Sequence, residues 1–291
     1  MTRSAGPTVD LPEPLPAPVI DSHCHLDISR EPAAPALPLG DALALARAVN
    51  VVEVVQVGCD LDSARRAVGW SRDYPTVHAA VSLHPTDAAE TGRRGGDALD
   101  DSLAEIARLA ADPAVVAVGE TGLDHHWTTD AAGKAYQEES FRAHIRMARE
   151  LDKTLVIHDR DAHDEVVRVL EDEGPPQRVV FHCFSGGVEM ARHCVQAGWY
   201  LSFAGTLTFR NAVELRQAAQ AAVEVAGLDR ILVETDAPYL TPHPHRGQVN
   251  SCYLVPWTVR TLAEIAGDVT GVDLVGTCDA TREATRRAFR L

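Results

Sequence analysis

Short runs of aliphatic and β-branched residues recur along this chain at intervals of roughly 20 to 40 residues. They are Val19-Ile20 with its flank, Val51 to Val57, Val77 to Leu83, Val115 to Gly119, Thr154 to His158, Arg178 to His182, Trp199 to Phe203 and Ile231 to Glu234. Between them lie segments rich in Ala, Arg, Glu and Leu, such as Asp100 to Ala111 and Tyr136 to Leu151, that read as amphipathic helices. Strands that alternate with helices make parallel β/α units. Eight such units predict an α/β fold, a closed (β/α)8 TIM-type barrel in a single domain over residues 19–291. Asn250 to Leu291 adds helical material around it.

The length of 291 residues suits one barrel of this kind. Residues 1–18 carry Pro7, Pro12, Pro14, Pro16 and Pro18 and no apolar stretch, which predicts a flexible or extended Pro-rich leader and not a signal peptide. No apolar run approaches the roughly 20 residues that cross a bilayer, so no membrane association is expected. Six cysteines without C-x-x-C spacing point to reduced thiols and a cytoplasmic protein. No obligate protein partner is evident. The net charge of −15 removes the basic footprint of a general nucleic-acid binder. A polyanionic substrate would have to be gripped locally, by metal ions and a few arginines.

Candidate chemistry begins in Val19-Ile20-Asp21-Ser22-His23-Cys24-His25. On an extended strand, residues i and i+2 share a face, so His23 and His25 project together and can grip one divalent ion. An isolated H-x-H is weak evidence. In such barrels, however, catalytic groups sit at the C-terminal ends of the strands, and further donors fall there. The fourth run leads into Glu120-Thr-Gly-Leu-Asp124, the fifth ends in His158, the sixth in His182, and the eighth is followed by Thr235-Asp236. A lone strand-end His is more often a hydrogen-bonded polar residue than a ligand, and a lone carboxylate there is more often a helix cap. Four histidines and two carboxylates gathered at one mouth make sense only with cations to neutralise them. Six ligands suit two divalent ions about 3.5–4 Å apart. His23, His25 and Asp236 are expected to hold one and His158 and His182 the other, with Glu120 bridging.

These stretches resemble the TatD-type metal-dependent deoxyribonucleases of the amidohydrolase-like barrels. The resemblance is carried by Asp21-Ser-His-Cys-His-Leu-Asp27, Leu83-His84-Pro85, Gly119-Glu-Thr-Gly-Leu-Asp124, His158-Asp-Arg-Asp-Ala162, His182-Cys-Phe-Ser-Gly186, Glu234-Thr-Asp-Ala-Pro-Tyr-Leu240, Pro244-His-Arg-Gly247 and Asn250, in that order. It implies a TIM-type barrel, two divalent cations (Mg, Mn or Zn) and hydrolysis of DNA phosphodiester bonds, with 3′-to-5′ exonuclease action on single strands or 3′ ends. It places the family's metal ligands on His23, His25, Glu120, His158, His182 and Asp236. Two departures stand out. His125-His126 precedes Trp127 where an aromatic is expected, and Gln248 and Ser251-Cys252 replace a common lysine and Glu-Pro.

Asp236 is the leading general base, with Glu120 as its catalytic companion. Arg160 and Arg246 are candidates to fork onto a phosphate, a role weighed equally against structural salt bridges. His84 is expected to contact substrate or protonate a leaving group, a role weighed against His84-Pro85 only shaping a loop, and Asp124 to orient a ligand. Phe184 and Trp127 fit either core packing or base stacking. Two rival functions remain. One is an amide, ester or lactone hydrolase on the same bimetal barrel, aminoacyl-tRNA esters included. The other is a binding protein that has lost catalysis, which the full set of six donors argues against.

Overall fold

A computed structural model of the protein describes residues 9–29 and 36–291. In chain order the elements are β1 (Val19–Cys24), α1 (Leu39–Ala48), β2 (Val51–Gly58), α2 (Leu61–Asp73), β3 (Val77–Val81), α3 (Pro85–Arg93), α4 (Ala98–Ala110), β4 (Val115–Asp124) and α5 (Ala131–Glu150). There follow β5 (Thr154–Arg160), α6 (His163–Glu173), β6 (Val179–Phe181), α7 (Val188–Gln196), β7 (Tyr200–Phe203), α8 (Val213–Ala226), β8 (Ile231–Val233), α9 (Val255–Thr270) and α10 (Leu274–Phe289). One eight-stranded sheet runs in the order β1 to β8, and β1 lies beside β8. This is the (β/α)8 arrangement that the sequence predicts. Among the described residues, no helix is long and apolar enough to cross a membrane, and no disulfide links the six cysteines.

Two compact units make up the fold, Met1–Val55 with Gly186–Arg287 and Gln56–Ser185 with Ala288–Leu291. In the first, β7 and β8 pair in parallel, with Leu201 opposite Ile231 and Phe203 opposite Val233. Ile20, Leu201, Phe203 and Leu232 are buried there, each contributing about 1.5–3 kcal/mol. The part of the expected leader that is described, residues 9–18, makes contacts within this unit. Val9 N–H donates to the Tyr253 hydroxyl (3.2 Å), Leu15 N–H reaches Val49 O (3.3 Å), and the Leu15 side chain is buried. A segment with no helix or strand of its own is held because its apolar side chains and backbone groups find partners. Residues 1–8 lie outside the described residues.

In the second unit, β3, β4, β5 and β6 pair in parallel. The β4–β5 register carries an irregularity. Val118 faces Leu155 and Thr121 faces Ile157, so Gly119 and Glu120 together answer to Val156. A bulge of this kind re-aims a side chain, and here the side chain is that of Glu120. Glycine is required on both sides. Gly119 and Gly122 have φ of +138° and +136°, and a Cβ would lie 2.3 Å from Val156 O or 2.1 Å from His158 O. The helices begin with matching chemistry. Asp60 and Ser63 form a capping box on α2, and the Asp130 side chain accepts Gly133 N–H at the start of α5.

Candidate functional site

In the first unit, β1 delivers His23 within the strand and His25 just beyond it. Their Nε2 atoms lie 3.2 Å apart. Asp236 Oδ1 is 3.5 Å from His25 Nε2 and 4.0 Å from His23 Nε2. Both rings are buried and Asp236 is half-buried. The alignment comes from lacing β1 to the loop that follows β8. Asp236 N–H donates to His23 O (3.0 Å), and His25 N–H donates to Ala237 O (2.7 Å). Asp236 takes a left-handed backbone, φ +53°. Asn250 Nδ2 ties the same loop through Thr235 O (2.8 Å) and Tyr239 O (2.6 Å).

Beneath this trio, the wholly buried Asp21 accepts the Thr235 hydroxyl on Oδ2 (2.6 Å) and Thr235 N–H on Oδ1 (2.9 Å). Burial pushes its carboxyl up to about 8, against the Thr235 bonds that pull it down. Strand alternation alone does not single out Asp21 as a structural partner, because its neighbour lies 214 residues away.

In the second unit, the bulged Glu120 is the hub. Its Oε1 lies 2.6 Å from His158 Nδ1, 2.7 Å from His182 Nε2 and 3.6 Å from His84 Nε2. The Cys59 thiol donates to Oε2 (3.5 Å), and Ser82 Oγ donates to the Glu120 carbonyl (2.8 Å). His158 lies within β5 and His182 directly after β6. Asp124 Oδ2 faces His158 Nε2 at 3.1 Å, the orienting role the sequence assigns to Asp124. His84 caps α3. Its Nδ1 accepts Thr86 N–H, which leaves the proton on Nε2, facing Glu120.

Electrostatics match this geometry. Burial works to neutralise Glu120, but the three imidazoles hold its carboxyl well below the usual range. Burial likewise disfavours charge on His158, yet hydrogen bonds to Asp124 and Glu120 raise it above an ordinary histidine. A buried carboxylate ringed by imidazoles is charge-compensated either by protonated rings or by a cation that takes their lone pairs. The donor atoms of His23, His25 and Asp236, and those of His84, Glu120 and His158, lie within 4.8 Å of one another in each group. Mixed imidazole and carboxylate donors at this spacing fit a divalent transition metal. The trio expected for one ion is thus gathered in one unit, and Glu120, His158 and His182 in the other. His84, expected at the substrate, sits among these donors.

The two arginines are placed differently. Arg160 is exposed, with its guanidinium 5.5 Å from the Trp127 ring centre. Arg246 is exposed over Phe209, at 4.3 Å. Neither forms an ion pair among the described residues. Of the two aromatics, Phe184 is core, 3% exposed, whereas Trp127 is 68% exposed.

The model of the family described as TatD related DNase matches residues 20–290. An uncharacterized metal-dependent hydrolase, TatD of Mycobacterium tuberculosis, is 48% identical over 254 residues, covering 85% of this chain and 90% of its own. The uncharacterized metal-dependent hydrolase YabD of Bacillus subtilis is 36% identical over 274 residues, covering 94% and 99%. The crystal structure of YjjV, a TatD homolog from Escherichia coli K12, superposes with a TM-score of 0.78 at 24% identity, covering 94% of this chain and 98% of that one, and so shares the fold. The chain belongs to the TatD family of metal-dependent hydrolases.

Proposed function

We propose that this protein hydrolyses phosphodiester bonds in DNA, acting as a 3′-to-5′ exonuclease on single strands or 3′ ends. The observation that carries the reading is the gathering of imidazoles on a carboxylate in each unit, His23 and His25 on Asp236 and His84, His158 and His182 on Glu120. The family's description as TatD related DNase supports the substrate class. Two divalent cations, Mg, Mn or Zn, held by His23, His25 and Asp236 and by Glu120, His158 and His182, would supply Lewis acidity that acidifies water and neutralises phosphate oxygens.

The chain's own residues divide the remaining work. Asp236, with a part-exposed carboxylate, takes the proton of the attacking water on Oδ. Glu120, gripped by His84, His158 and His182, stays ionised and would serve as a ligand beside His158 and His182. His84 Nε2 offers its proton to substrate oxygen. Arg160 and Arg246 present exposed forks to the phosphates. These local contacts must hold the polyanion, because a net charge of −15 repels it at long range.

That same acidity favours a second reading, hydrolysis of a lactone, amide or ester, an aminoacyl-tRNA ester among them. Assaying a single-stranded oligonucleotide beside a lactone and an aminoacyl ester separates the two. Metal-dependent shortening of the DNA alone supports the nuclease. Turnover of the lactone or ester alone replaces it.

A further inference from the structure

Trp127 is the most exposed large hydrophobic side chain among the described residues. An indole left out of the core needs a reason, and its surroundings offer one. The loop that carries it is rigidly held. Trp127 N–H donates to Asp124 Oδ1 (2.8 Å), and Thr128 N–H to Asp124 O (3.3 Å). Gln137 clamps the same turn through Asp124 N–H (3.0 Å), Asp124 O (3.2 Å) and Thr128 Oγ1 (2.8 Å). The other Asp124 oxygen faces His158. One carboxylate therefore fixes both a candidate metal ligand and the platform beside it.

Arg160 stands opposite Asp124 in the β4–β5 register and brings its guanidinium to the indole. His126 meets the ring edge-on, with centroids 4.9 Å apart. An isolated aromatic face flanked by a cation and a histidine is poorly suited to an apolar protein partner. It is well suited to a planar, hydrogen-bonding ring attached to a phosphate. We infer that Trp127 and Arg160 form a stacking subsite for an unpaired nucleobase of the substrate, Trp127 taking the base and Arg160 the adjoining phosphate. This rests on the nucleic-acid reading above and adds to it the preference for unpaired bases.

The test is binding of a fluorescent, hydrolysis-resistant phosphorothioate single strand to metal-loaded protein, beside an abasic strand of equal length, read by anisotropy. Wild type should prefer the strand with bases. Trp127→Ala should weaken that strand about 5- to 100-fold and leave the abasic strand unchanged, and Trp127→Phe should restore most of the loss. The subsite is overturned if Trp127→Ala binds the base-bearing strand as wild type does, or loses both strands alike. Cleavage of an ordinary oligonucleotide by wild type, run alongside, separates the two ideas. Cleavage with unaltered Trp127→Ala binding discards the subsite and keeps the nuclease. Neither binding nor cleavage by wild type discards both.

Discussion

The Thr235 hydroxyl donates to Asp21 Oδ2 at 2.6 Å while its backbone N–H donates to Oδ1 at 2.9 Å. This double bond pattern joins β1 to the loop after β8, and the two segments carry His23 and His25 on one side and Asp236 on the other. Thr235→Val should leave a buried carboxyl short of one partner, at about 1–3 kcal/mol in urea unfolding. It should also weaken the ion held by the trio about 10- to 100-fold, as loss of supporting hydrogen bonds does at metal sites. Isothermal titration with Zn or Mn checks the second effect. Unchanged affinity would mean that the lacing of backbone amides aligns the trio unaided.

Gly122→Ala should be severe, because the added Cβ meets His158 O at 2.1 Å in a conformation L side chains rarely adopt. A loss of at least about 2 kcal/mol is expected from the backbone alone. Equilibrium urea unfolding measures it, and a shift below half that size would show that β4 and β5 slide apart at little cost.

His144 supplies a pH dependence away from the candidate ligands. It is fully buried, with Nδ1 donating to Ser140 O (2.7 Å) and Nε2 accepting Leu83 N–H (3.2 Å), and burial pushes its pKa down to about 4. The unfolded chain, near 6.5, binds the proton more readily, so stability is full above about pH 6.5 and falls as pH drops toward 4. The loss from this group between pH 7 and pH 5 is about 2 kcal/mol. Urea midpoints for wild type and His144→Gln at both pH values should show a flatter response in the variant.

Metal content should follow the two donor groups. Asp236→Asn is expected to lose the ion of the His23–His25 trio and His158→Ala the other, each leaving about one equivalent per chain by elemental analysis. Wild type that retains none after loading with Mn or Zn would refute the metal assignment.

Much of this was legible in the chain because it is local. All eight apolar runs became strands, and the strand-end rule picked His23, His25, Glu120, His158, His182 and Asp236, which fall into two donor groups. What escaped is non-local. The bulge that aims Glu120 depends on its register against Val156, and Asp21 depends on a threonine near the far end of the chain. His84 could not be placed beside Glu120 without knowing that it caps α3. The exposure of Trp127 depends on how the loop after β4 is clamped by Gln137. The partners of Val9 and Leu15, Tyr253 and Val49, likewise lie elsewhere in the sequence.

Metal-dependent nuclease activity is tested most directly by hydrolysis of an end-labelled single-stranded oligonucleotide by metal-stripped protein, with Mg, Mn or Zn restored and with Asp236→Asn and His158→Ala alongside. Shortening from the 3′ end that needs the metal and is abolished in both variants is expected. An intact oligonucleotide with every metal, on protein that demonstrably binds two ions, would contradict it.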